Sequence, residues 1–128
     1  MSQHVINWQA EDEPKKLLVF MFGWDHRLSQ LFTQYHIEEV IVDSEGTQHF
    51  EAVDGSLFEN NLTIKPSFIA SNKRSVTEII RNNIQTLFVE SGIALSLDAI
   101  NTIDIICKRM IEDATTPKYR LRKENYVI

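Results

Sequence analysis

The sequence predicts an α+β fold: a mainly antiparallel sheet of about four strands, one early helix, and a C-terminal helical hairpin packed on the sheet, in the order β-α-β-β-β-α-α. Three observations predict it. Lys16–Phe22 is apolar on both faces and stops at Gly23. Two alternating segments, Glu39–Asp43 and Thr47–Val53, flank Ser44-Glu45-Gly46. Two apolar stripes at helical spacing then occupy most of residues 75–111, each with its own start signal.

Taken in order, residues 1–14 read as an extended leader. It closes with Glu11-Asp12-Glu13-Pro14, because a residue before proline is held extended. Lys-Leu-Leu-Val-Phe-Met-Phe at 16–22 has no polar face, which is the pattern of a central strand covered on both sides. Asp25 is placed to cap an early helix in which Leu28, Leu31, Phe32 and Tyr35 recur at helical spacing. Gly46 supplies the positive φ that a three-residue hairpin loop requires between the next two strands.

Leu62–Ala70 alternates, but Pro66 removes a ladder donor, so an edge or bulged strand is expected there. Ser75-Val76-Thr77-Glu78 has the spacing of a capping box. Val76, Ile79, Ile80, Ile84, Leu87 and Phe88 follow as one stripe, and Ser91-Gly92 ends it. Ser96 can cap a third helix carrying Leu97, Ile100, Ile103, Ile106, Cys107, Met110 and Ile111, with Ile105 off the stripe. The short connection makes the last two helices an antiparallel pair. Pro117 stops the third helix, and residues 117–128 form a basic tail or edge strand.

The chain is expected to be one globular domain spanning 1–128, a length that supports a core without staples. Cys107 is the only cysteine, so no intramolecular disulfide forms, as in a reducing compartment. The N-terminus lacks a basic start and an apolar core segment, and the longest apolar run, Leu17–Phe22, is too short for a bilayer. A cytoplasmic protein that makes no membrane contact is expected.

Charge is divided unevenly. Residues 1–60 hold eleven acids and three bases, netting −8, whereas residues 61–128 hold ten bases and seven acids, netting +3. Such a division speaks to partners rather than to fold. The pI near 5.3 argues against coating nucleic acid. The four bases of Lys118-Tyr119-Arg120-Leu121-Arg122-Lys123 are too few to claim it.

No catalytic set stands out. The sequence has no His-Glu-x-x-His, paired-Cys or Ca²⁺-loop motif and no glycine-rich phosphate loop, so neither metal nor cofactor is expected. His49 and Glu51 share a strand face and His26 adjoins Asp25, but solvated surface pairs explain both. Cys107 reads as a small core residue rather than a nucleophile.

The candidate binding residues are therefore Glu38, Glu39, Asp43, Glu45, Asp54 and Glu59, with Trp8, Trp24 and Tyr35 as aromatic anchors. They lead to a non-enzymatic binding protein (inhibitor, immunity-type or adaptor) that recognises a basic, even nucleic-acid-binding, protein partner through charge and a few desolvated contacts. A subunit of a homo- or hetero-oligomeric assembly is the alternative. A small hydrolase using His49 or His26 ranks third.

Overall fold

Strand 16–25 lies at the middle of a mixed sheet, and the chain is arranged around it. A computed structural model describes all 128 residues. The elements are β1 (Gln3–Trp8), β2 (Lys16–Asp25), β3 (Gln30–Val42), β4 (Gln48–Ala52), β5 (Phe58–Thr63), α1 (Pro66–Ser71), α2 (Lys73–Glu90), α3 (Leu97–Thr115), a short 3₁₀ turn (Pro117–Tyr119) and β6 (Lys123–Tyr126). The sheet order is β4-β3-β2-β1-β6, with β5 also paired to β3.

The α+β class stands, with the helical pair after the main run of strands. Its sheet has six strands, and it is mixed because β6 runs parallel to β1. The long β3 serves two partners end to end. Glu38–Val42 pair with β4, and Gln30–Tyr35 pair with β5. Ser56 bridges the interval: Ile37 N–H donates to Ser56 Oγ at 3.1 Å, and the Ser56 hydroxyl donates to Val53 O at 2.7 Å.

The expected early helix is absent. Residues 30–42 form β3, hairpinned to β2. Asp25 caps the hairpin turn instead: its Oδ1 accepts from the N–H groups of Arg27 (3.0 Å) and Leu28 (3.3 Å). Leu31 and Tyr35 enter the helix-side core while Phe32 lies on the opposite face, so apolar residues on both faces of a strand imitated a helical stripe.

The leader also proves to be a strand. β1 lies between β2 and β6, with Ile6 fully buried. Gly23 has little room, since a Cβ there would stand 2.1 Å from the Ser2 carbonyl oxygen, and Ser2 N–H donates to Trp24 O at 2.9 Å. The expected strand 62–70 ends at Thr63, and Pro66 opens α1, where its missing N–H costs nothing. The Ser75 capping box does not form, because α2 already starts at Lys73. The β3–β4 loop turns at Gly46 (φ +82°), Gly92 (φ +79°) follows α2, and Ser96 Oγ caps α3 by accepting from Ala99 N–H at 3.2 Å, all as the sequence indicated.

The helices cover one sheet face. Register puts Ile6, Phe20, Phe22, Trp24 and Leu31 on that side, packed with Ile80, Ile84, Phe88, Ile103 and Met110. Phe20 meets Phe88 edge-on at 5.0 Å. No helix is long and apolar enough to cross a membrane.

Cys107 is fully buried on α3. Burial pushes its thiol from the usual 9.0 up to about 12, against the opposing pull of Arg81. Because folding favours the neutral thiol, this contribution to stability is intact below about pH 9 and declines as pH rises toward about 12. At neutral pH, labelling by 5,5′-dithiobis(2-nitrobenzoate) is expected only at the rate of unfolding. Complete labelling of the native protein within mixing time contradicts the burial.

Candidate functional site

The six acidic residues singled out in the sequence are all on β3, β4–β5 and their turns, but they do not share a face. Register places Glu38 and Glu59 on the side of the sheet away from the helices and Glu39 on the helix side. Asp43 and Glu45 occupy the β3–β4 loop, where Asp43 Oδ1 accepts from Glu45 and Thr47 N–H, each at 2.9 Å. Asp54 lies in the β4–β5 turn, and Glu59 lines a depression on the open face with Asp25, Gln34 and Asn61. The acids thus wrap the outer edge of the sheet.

The aromatic anchors separate as sharply. Trp24 is fully buried in the core, with its indole N–H unpartnered, so it cannot touch another molecule. Trp8 and Tyr35 are half-buried and come together in one cleft of about 360 Å³. The cleft forms where α2 ends and leaves the helix-side face of the sheet uncovered. Trp8, Leu18 and Ile37 cross its floor in register on β1, β2 and β3, with Tyr35 beside them. Asp12 and Glu13 reach it from the β1–β2 connection, and Glu90 is the last residue of α2. The one cation in the lining, Lys16, stands 3.8 Å from Glu13 across an exposed pair.

Three carboxylates against one ammonium leave the rim negative. The C-terminal end of α2 adds to this, since its last carbonyls carry partial negative charge and no basic residue occupies its last turn. Sequence reasoning named Trp8 and Tyr35 but missed Asp12, Glu13 and Glu90, which read as loop and helix-end residues. No local pattern joins them, because the cleft assembles from three stretches of sequence, 8–18, 35–37 and 90–91.

The histidine–carboxylate pairs divide. His49 Nε2 lies 2.8 Å from Glu51 Oε1, and both side chains are largely exposed, the solvated sheet pair that the sequence suggested. His36 stands 3.7 Å from Glu38 on the open face. His26 is exposed beside the Trp24 ring. No three His, Cys, Asp or Glu side chains gather in a way that could hold a metal ion.

The largest polar cluster lies elsewhere, and no local sequence pattern signals it. His4 and Asp113 are both fully buried, and His4 Nε2–H donates to Asp113 Oδ2 at 2.6 Å. Arg122 Nε donates to Asp113 Oδ1 at 2.9 Å, while its guanidinium lies 4.4 Å above the Tyr119 ring. His4 Nδ1 is 2.8 Å from the Tyr126 hydroxyl, which also accepts from Arg109 at 2.9 Å and adjoins Glu124. Burial, and secondarily the hydrogen bond to Glu124, push the Tyr126 phenol up to about 12 against the pull of Arg109.

This cluster fastens β1 and β6 to α3. Its central His4–Asp113 pair is closed to solvent, which fits a structural role. It also accounts for one base of the tail. Arg122 pairs with Glu112, Asp113 and Glu124 of the carboxyl half, so it neutralises none of the amino-half acids. Compared with family models, curated proteins and solved structures, the chain matches none.

Proposed function

We propose that this chain is a non-enzymatic binding protein, of the inhibitor, immunity or adaptor kind, that recognises a basic surface on a protein partner. The observation that carries the reading is the meeting of Trp8 and Tyr35 with Asp12, Glu13 and Glu90 in one open cleft. The acids of the outer sheet edge extend the same negative sign across the amino half. Aromatic anchors set within like-signed charge are what steered protein recognition uses.

A native-lysate pull-down with a tagged chain tests the reading. The captured partner should be basic, with pI above about 9. Its recovery should fall several-fold when Glu38, Glu39, Asp43 and Glu45 are changed to Lys, and again as salt rises from about 0.1 to about 0.5 M. Recovery of the same proteins in the same amounts under all these conditions counts against it.

Assembly into a larger oligomer is the second reading. It draws on the helix-free sheet face, where Val5, Met21 and Val40 are only partly buried and Phe50 is exposed. Light scattering that returns a monomer at every salt concentration and protein concentration tried removes it.

A further inference from the structure

We infer that the cleft between the end of α2 and the β1–β2 connection is a socket for one lysine or arginine side chain presented by the basic partner. The inference rests on the reading above and makes it specific. Three independent features of the cleft select a cation. Its walls include half-buried Trp8, whose indole attracts a cation, and Tyr35, which stacks on Phe58 with ring centroids 5.7 Å apart and adds apolar surface along which an alkyl stem can pack.

Its rim carries Asp12, Glu13 and Glu90 against Lys16 alone. The C-terminal end of α2, with no basic residue in its last turn, borders it through Glu90 and Ser91, and such an end favours positive charge. An anionic group would meet all three features with the wrong sign. A purely apolar group would desolvate the carboxylates without pairing them. At about 360 Å³ the cleft lies at the lower end of ordinary ligand-pocket size, suited to a single side chain rather than a folded element. Lys16 holds Glu13 from within at 3.8 Å, and an incoming cation takes over that carboxylate.

The test uses hexalysine as the probe, followed by ¹H–¹⁵N NMR on the full chain. Three double variants with identical charge change are compared: Asp12→Lys with Glu90→Lys in the cleft, Glu38→Lys with Glu45→Lys on the β3–β4 edge, and Glu78→Lys with Asp98→Lys on the helices. All six positions are surface positions outside the core, and the spectra report folding directly.

The expected result is a shift of the Trp8 indole N–H resonance on titration. The cleft variant should lose about tenfold in affinity and the helix variant no more than about twofold. Equal losses in all three variants mean attraction to net charge alone, and the socket is wrong. Loss confined to the Glu38/Glu45 variant moves recognition to the sheet edge, which overturns the socket but leaves the basic-partner reading standing. Absence of any binding by the unmodified chain overturns the socket, and the pull-down then decides the broader reading by itself.

Discussion

Replacing Asp113 with Ala is expected to cost about 3–5 kcal/mol, the range seen when one partner of a buried ion pair is removed. Asp113 is fully buried on α3 and serves two elements at once. One carboxylate oxygen accepts from His4 of β1 at 2.6 Å, and the other accepts from Arg122, just before β6, at 2.9 Å. Truncation leaves the buried His4 imidazole without its acceptor and removes the Arg122 guanidinium's only buried carboxylate, although Arg122 keeps the Arg109 carbonyl and Glu112. An unsatisfied buried donor carries its full desolvation cost.

The melting temperature should fall by roughly 10–20 °C for a domain of this size. Asp113→Asn should recover part of the loss, because the amide keeps the shape and one acceptor. A melting temperature within about 3 °C of the unmodified chain for Asp113→Ala would mean that the cluster does not hold β1 and β6 to the helix.

Phe88→Ala is the second large effect, at about 3–5 kcal/mol. Phe88 is fully buried on α2, and its ring lies 5.0 Å from Phe20 and 6.4 Å from Phe22, so it is the plug between helix and sheet. Removing it deletes apolar burial and leaves a void bounded by β2, which sits mid-sheet and cannot collapse inward. Urea unfolding should show a lower midpoint with little change in slope. A loss of less than about 1 kcal/mol would place the helix–sheet contact elsewhere.

These two side chains also show what the sequence could and could not disclose. Phe88 was legible: it falls on a helical stripe, and the stripe packs as its period implies. The α2–α3 pair, the Gly92 exit from α2 and the Ser96 cap of α3 were legible for the same local reason. Asp113 was not, because an acid on an otherwise amphipathic helix gives no sign that it points inward until His4 and Arg122 arrive from opposite ends of the chain.

β1 was hidden by the same effect. His4 breaks the apolar alternation of Gln3–Trp8, and only the buried cluster explains a histidine on the core side. At residues 28–35 the failure was of period. Apolar residues on both faces satisfy a helical and a strand spacing equally, and pairing with the apolar β2 decides between them.

The candidate site was half visible. Trp8 and Tyr35 could be named as aromatics, but their acidic neighbours come from a connecting loop and a helix end. The residues chosen for charge alone, Glu38 to Glu59, are divided by the sheet between two faces and an edge.

Hydrogen exchange on this chain, alone and with the basic protein recovered in the pull-down, measures where recognition occurs. Recognition through the cleft predicts slowed exchange on complex formation at the amides of Ala10–Glu13, Lys15, Lys16 and Glu90–Ser91, with β6 and α3 unchanged. Slowing confined to other amides, with Ala10–Glu13 and Glu90–Ser91 unchanged, would contradict it.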